Sequence, residues 1–376
     1  MPRPGWPSRH CVRRDAQQHR LARQHSRRAR RHCQQLRTVP ADEGVSRSGA
    51  DEDPLVSQTA KTGTWSGRGL WRYRADLAVR GEPVTLGEGA TPIVPYEKFL
   101  LKLESISPTG SFKDRGAATA ITAARSAGAR IVVEDSSGNA GTAIAAYAAA
   151  AGLRARIFAP DDIVASKARA IQVLGAELVK ISGPRSAVTE AALMAARDAY
   201  DVGHARDDTF LEGTKTIAYE LFEELGDELH DIVTPVGQGT VLIGLAMGFA
   251  DLVAAGRMAR APKLHGVQSD ACAPLVRGAA IGRPAPVVRQ PSIADGIRIP
   301  EPTRAERSYA AVRYSGGRWI AVPDDAIEQA WRQAATVGLL IEPTSAAAIV
   351  GAHVLHLPPG AVLIITGSGL KAIERY

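Results

Sequence analysis

Ser107-Pro108-Thr109-Gly110-Ser111-Phe112-Lys113-Asp114-Arg115-Gly116 reads as a tight turn that delivers a lysine to the start of a helix. Pro108 and Gly110 break the strand-like run before it, Ser111 suits an N-cap, and an Ala-rich helical pattern follows over 116–127. Lys113 therefore falls in a first turn. There the positive end of the helix dipole disfavours a second cation by roughly 0.3–1 kcal/mol. The same field, with partial desolvation, lowers the pKa of an amine and makes it a better nucleophile. The alternative is a lysine that faces solvent or pairs with Asp114, and the surrounding chain decides between the two.

Working outward, strand and helix patterns alternate. Helix 116–127 gives way to strand 130–134, helix 140–151, strand 154–159, helix 166–174, strand 177–181 and helix 187–200. The alternation resumes with helix 214–225, strand 231–236, helix 241–255 and strand 263–267. An irregular, proline-rich stretch at 271–304 interrupts it before helices 324–337 and 344–353 and strand 361–365. This spacing predicts βαβ units and mostly parallel sheets, an α/β fold of two open lobes sharing a cleft. The expected division is a larger lobe from 69–115 with 205–376, a smaller lobe at 116–204, and a tail and linker at 1–68.

Ligands of open parallel sheets bind beyond the carboxyl ends of the strands, so the informative loops are those that follow strands. After strand 130–134 comes Asp135-Ser136-Ser137-Gly138-Asn139-Ala140-Gly141, hydroxyls and backbone amides opening a helix, able to hold a carboxylate or a ring hydroxyl. After strand 231–236 comes Gly237-Gln238-Gly239-Thr240, again opening a helix. Its glycines and first-turn amides make a phosphate cradle. Leu242 stands where a dinucleotide fingerprint needs its third glycine, and the chain has no Gly-Lys-Ser/Thr, so a single phosphate monoester suits the cradle best. After strand 361–365 comes Thr366-Gly367-Ser368-Gly369-Leu370-Lys371, a hydroxyl placed for a neutral hydrogen bond to a flat heteroaromatic ring. A lysine for an imine, a phosphate cradle, an amide for a ring hydroxyl and a hydroxyl for a ring nitrogen are the handles of pyridoxal 5′-phosphate.

These motifs together resemble the fold-type II (tryptophan synthase beta-like) pyridoxal-phosphate enzymes, and most of all the threonine synthases. The similarity runs from about residue 69 onward and includes TLGEGATPIV at 85–94 and EPTSAAA at 342–348. It implies that Lys113 is the Schiff-base lysine and Asn139 the ligand of the ring 3′-oxygen. Ser136 and Ser137 would hold the substrate carboxylate, Gly237, Gln238, Gly239 and Thr240 the phosphate, and Thr366 the pyridine nitrogen. The implied activity is a lyase of the threonine synthase type, converting O-phosphohomoserine and water into threonine and phosphate. A threonine or serine dehydratase giving a 2-oxo acid, or a β-replacement enzyme, is the alternative. Ala140 stands where many threonine synthases carry threonine. Gly203-His204-Ala205-Arg206-Asp207 stands ahead of Glu212-Gly213-Thr214-Lys215-Thr216 where the family tends to have Asn-Ser-x-Asn-Pro. The resemblance also implies a homodimer.

The net charge of +7 over 376 residues is a property of one end. Residues 1–40 hold eleven Arg, no Lys and one acid, Asp15, so the remainder carries a net −3 and a nucleic-acid partner is not expected of it. The tail has four His and almost no aliphatic periodicity, a disordered composition, and Cys11 and Cys33 have no zinc-module spacing. Cys272 is the one further thiol, so no disulfide framework and no metal site are expected, which with the lack of an apolar span fits a cytoplasmic enzyme.

Overall fold

The computed structural model describes residues 65–136, 138–163 and 165–376, together with 38–40. The expectations for the Arg-rich tail lie outside these described residues, except that Thr38–Pro40 forms a short strand.

Strands are labelled in chain order: β1 Thr38–Pro40, β2 Ile93–Tyr96, β3 Phe99–Leu103, β4 Ile131–Glu134, β5 Arg154–Pro160, β6 Glu177–Ile181, β7 Tyr200–Asp201, β8 Asp231–Pro235, β9 Lys263–Ser269, β10 Arg318–Val322 and β11 Val362–Ile365. They make two sheets. The four-stranded sheet runs β6-β5-β4-β7 and is parallel throughout. The seven-stranded sheet runs β1-β10-β9-β8-β11-β3-β2, parallel from β10 to β3, with an antiparallel strand at each edge. Helices cover the sheet faces, so central strands are apolar on both sides: Val132 and Val133 of β4, Ile232 and Val233 of β8, and the whole of β11 are buried.

Register decides where the loops meet. β11 lies between β3 and β8, with Val362 opposite both Leu100 and Ile232. The strands are parallel, so the turn after β3, the loop after β8 and the segment after β11 all leave at one end of the sheet. The lysine turn and the 366–371 segment thereby become neighbours despite their distance in sequence.

The helix that opens at the lysine spans Lys113–Ser126 and packs on Thr209–Leu225, which packs in turn on Thr240–Ala254. The approach is close because a Cβ at Gly213 would collide with the Arg115 carbonyl, and one at Gly116 with the Phe210 ring. Between these helices and β3 lies a buried ionic cluster. Arg115, fully buried, donates to Glu104 from Nε at 2.7 Å and to Glu220 from Nη1 and Nη2 at 2.8 and 2.7 Å. Lys102, also fully buried, reaches Glu220 at 3.0 Å and Glu224 at 2.7 Å. Burial would raise Glu220, yet the charge and hydrogen bonds of Arg115, with Lys102, bring it down to about 2.

Three local expectations change. The lysine helix begins at Lys113 rather than at 116, and Phe112, not Ser111, occupies the capping position. The Ser111 hydroxyl makes no hydrogen bond, because Ser111 is drawn into a bridge with Gly367 instead. Third, helix Ala305–Ser315 and strand β10 follow the irregular stretch; the buried face of that helix mixes Tyr309 and Val312 with Ala305, Ser308, Ala311 and Ser315, so only two large apolar residues mark its period. No helix among the described residues is long and apolar enough to cross a membrane.

Candidate functional site

The lysine turn is held by its own side chains. Gly110 adopts φ +78° and its N–H donates to the Ser107 carbonyl at 2.7 Å. The Asp114 carboxylate accepts from the Thr109 N–H at 2.8 Å and from the Thr109 hydroxyl at 2.6 Å, so it is committed to the turn and not to Lys113. The Lys113 amine lies 4.7 Å from the centre of the Phe112 ring and 5.5 Å from that of Phe210. Nζ donates across a long 3.4 Å to the Thr240 hydroxyl. Burial lowers the amine to about 7; the Glu134 carboxyl opposes this and the Arg304 charge reinforces it. A large share of Lys113 is therefore a free amine at neutral pH, the state a carbonyl-trapping nucleophile needs.

Thr240 is the first residue of the helix that follows β8. Gly239, just before it, is left-handed at φ +87°, ψ 1°, and a Cβ there would collide with the Ser308 hydroxyl. A Cβ at Gly237 would come within 2.8 Å of the Gly296 carbonyl. Gln238 turns outward and accepts from the Thr303 N–H at 2.9 Å. No side chain caps the helix, so its first-turn amides and dipole face the space beside Lys113, as an anion site requires.

The other two loops close the same space. The Phe112 N–H donates to the Thr366 carbonyl at 3.1 Å and the Ser368 N–H to the Gly110 carbonyl at 2.9 Å, which stitches the lysine turn to the end of β11. The Thr366 hydroxyl lies 3.0 Å from that of Ser345, on the helix Pro343–Val354. Asn139 begins the helix Asn139–Ala150, and its amide contacts Glu342 and Lys371, the latter from the 366–371 segment. Ser136 turns its hydroxyl to the Gly138 N–H at 3.3 Å, and Ser137 lies outside the described residues. Thus Lys113 meets Thr240 directly, the turn that carries Lys113 is bonded to Thr366, and Asn139 is tied through Glu342 and Lys371 to the segment that follows Thr366.

The wall formed by 200–210 carried no sequence expectation beyond its departure from the family pattern. Phe210 faces Lys113, and the His204 ring stands edge-on to Phe210 at 5.9 Å. Glu134, fully buried at the end of β4, accepts from the His204 N–H at 3.0 Å and meets His204 Nδ1 at 3.0 Å. Burial and then the Asp135 charge raise Glu134 to about 8, and burial with the Lys113 charge takes His204 well below its usual value. Both shifts favour the uncharged forms of the two groups. The neighbouring cations are committed: Arg206 to Asp201 and Asp135, Arg185 to Asp135, and Arg304 to Asp208 and the Asp207 carbonyl.

The donor set fits a phosphorylated aldehyde cofactor with a pyridine ring. The amine is partly deprotonated, a glycine-lined helix start lies beside it, and a neutral hydroxyl follows the strand whose end is stitched to the lysine turn. Among the described residues no group of His, Cys, Asp and Glu could hold a metal ion.

Comparison with known proteins agrees. The family model described as pyridoxal-phosphate dependent enzyme matches residues 84–367. A threonine synthase of Synechocystis sp. is 35% identical over 318 residues, 80% of this chain and 82% of that protein. A threonine synthase of Mycobacterium leprae is 33% identical over 84% of this chain and 91% of that protein. Among solved structures, a threonine deaminase from T.th. superposes with a TM-score of 0.62 at 26% identity, covering 72% of this chain and 87% of that one. Maize serine racemase, at 21% identity and a TM-score of 0.66 over 76% and 90% of the two chains, shares the fold.

Proposed function

This chain belongs to the family of pyridoxal-phosphate dependent enzymes, and from that premise we propose that it is a lyase of the threonine synthase type, converting O-phosphohomoserine and water into threonine and phosphate. The observation that carries the reading is the Lys113 amine, lowered to about 7 by burial and set beside the Thr240 helix start. The threonine synthase relatives, similar over four fifths of the chain, give the reading its substrate.

In this reading Lys113 holds the cofactor aldehyde, and Gly237, Gln238, Gly239 and Thr240 hold its phosphate through first-turn amides and the Thr240 hydroxyl. Asn139 orients the ring oxygen. Thr366 meets the ring nitrogen with a neutral hydroxyl, and Ser136 with Ser137 binds the substrate carboxylate. The bound cofactor supplies an electron sink for negative charge at the substrate Cα. Lys113, as a free amine of near-neutral pKa, would take the Cα proton and then a Cβ proton as phosphate leaves Cγ, and would return protons to Cγ and Cα as the hydroxyl of water adds at Cβ and its remaining proton goes to the phosphate. Phe112 and Phe210 shield the amine from water on two sides.

A second reading, a threonine or serine dehydratase, is favoured by one feature. Arg206, in the 203–207 segment, is tied to Asp201 and Asp135 and so is not offered to a substrate phosphate. Purified protein supplied with O-phosphohomoserine and, separately, with threonine distinguishes the two. Threonine and phosphate from the former support the synthase, 2-oxobutanoate from the latter the dehydratase, and neither product rejects both. With the substrate goes the expected setting: a cytoplasmic homodimer acting on a small amino-acid substrate in threonine biosynthesis, without nucleic-acid or membrane partners, its cleft between the 116–204 lobe and the rest.

A further inference from the structure

Asn139 is gripped at both ends by groups of opposite charge. Lys371 Nζ donates to its Oδ1 at 2.5 Å, and its Nδ2 donates to the Glu342 carboxylate at 3.0 Å to Oε2 and 3.2 Å to Oε1. Lys371 and Glu342 face each other at 3.4 Å, with side chains 27% and 19% exposed, so the arrangement is a closed triangle only partly open to solvent. Glu342 is itself fixed, its N–H donating to the Gly367 carbonyl at 2.9 Å. Gly367 is needed there, because a Cβ at that position would collide with the Glu342 carboxylate.

A carboxamide alone can present either its oxygen or its nitrogen to a ligand. Here rotation by half a turn would set the carbonyl oxygen against a carboxylate and the amide hydrogens against an ammonium. Only one orientation survives. It leaves the nitrogen end, which has two hydrogens, with a donor beyond the one drawn to Glu342.

We propose that Glu342 and Lys371 are positioning residues that lock the Asn139 carboxamide so that an N–H is presented to the oxygen of the cofactor ring. The proposal rests on the reading of Asn139 as the ring-oxygen ligand. It assigns a task to the glutamate of EPTSAAA and the lysine of TGSGLK, neither of which has a handle of its own on the cofactor. The pair is close to neutral overall, so its effect is on orientation more than on the field at the ring.

The test is the absorbance spectrum of the cofactor-loaded protein as a function of pH, with cofactor affinity measured separately by equilibrium dialysis. A hydrogen bond to the ring oxygen favours its ionised, longer-wavelength form, so losing it raises the pH at which that form appears. Asn139→Ala sets the size of the shift. Glu342→Ala and Lys371→Met are expected to reproduce most of that shift and to weaken cofactor binding about tenfold, the scale of one charge-assisted hydrogen bond. Lys371→Arg, which keeps a donor, restores the wild-type spectrum. In the Asn139→Ala background neither second substitution shifts it further. A wild-type spectrum in Glu342→Ala and Lys371→Met, beside a shifted one in Asn139→Ala, overturns the proposal and leaves Asn139 in its role. An unshifted spectrum in Asn139→Ala removes the role of Asn139 and the proposal with it. If Lys371→Met and Glu342→Ala lose folded structure, Lys371→Arg and Glu342→Met decide by the same comparison: a shift with Glu342→Met, which has no acceptor, and none with Arg supports the lock, and any other pattern rejects it.

Discussion

The Lys113 amine and the Thr240 hydroxyl, from two helices that start at the same end of the larger sheet, stand 3.4 Å apart. The lysine and the helix start proposed as phosphate cradle are therefore adjacent, and the amine is lowered to about 7 by burial.

The first prediction concerns that amine. Mixing cofactor-free protein with pyridoxal 5′-phosphate develops a visible band from the lysine-bound form. Its rate is expected to climb as pH passes about 7 and then level off, whereas an unperturbed lysine would keep gaining reactivity to about pH 10. Lys113→Ala abolishes the band. The unfolded amine keeps its proton to about pH 10.4, so this one group makes cofactor-free protein more stable as pH rises from about 7 toward that value. A rate still rising steeply at pH 9 would reject a perturbed Lys113.

Gly239→Ala tests the cradle. The position needs φ +87° and has no room for a Cβ beside Ser308. The left-handed conformation alone costs a non-glycine residue about 1–2 kcal/mol, and the loop must also move from Ser308. Cofactor affinity, titrated by fluorescence, should fall tenfold or more. Unchanged affinity would place the phosphate elsewhere.

The Arg115–Glu220 pair is a stability element that acid removes. Glu220 is held down at about 2, below the usual glutamate value, so its contribution is complete above about pH 4.3 and is lost as pH falls through about 2. Arg115→Met leaves buried Glu104 without its cation and Glu220 with Lys102 alone, and should cost about 3–5 kcal/mol in urea unfolding at pH 7. A loss below about 1 kcal/mol, the scale of a surface pair, would contradict the burial.

Glu134 has the opposite sign. Its pKa is raised to about 8, so it is neutral in the fold while the unfolded carboxyl ionises near pH 4.3. The stability it contributes is whole below about pH 4.3 and declines until pH passes about 8. Glu134→Gln should remove this part of the pH dependence, read as a flatter thermal-unfolding midpoint between pH 5 and 8 in calorimetry. Parallel pH profiles for the two proteins would show that the carboxyl is ionised throughout.

Lys113, the 237–240 loop, Asn139 and Thr366 could be singled out because each lies in or directly after a loop that follows an apolar strand, where residue type alone suggests a chemistry. The helix Ala305–Ser315 was not, since Tyr309 and Val312 are the two large apolar residues on a buried face otherwise made of alanine and serine. Arg115 and Glu220 look like surface charges in sequence. Only the close helix approach that Gly213 permits shows that they are buried together. The triangle at Asn139 is equally invisible along the chain: Glu342 and Lys371 belong to motifs that could be matched, yet their partner stands 203 and 232 residues away. Likewise the 200–210 wall could be seen to differ from the family pattern, but not that Phe210 would face the lysine.

The hydrogen bond from Lys371 to Asn139 joins positions 232 residues apart, and it has a consequence for synthesis. A chain emerging from the ribosome presents Lys113 early, while the 366–371 segment, which the proposed function sets at the cofactor ring, arrives much later. Domains that await a late-arriving strand stay open to the wrong contacts in the interval. A nascent chain stalled before β11 should therefore carry Lys113 without retaining the cofactor, and release past residue 371 marks the point at which the pocket becomes able to keep it.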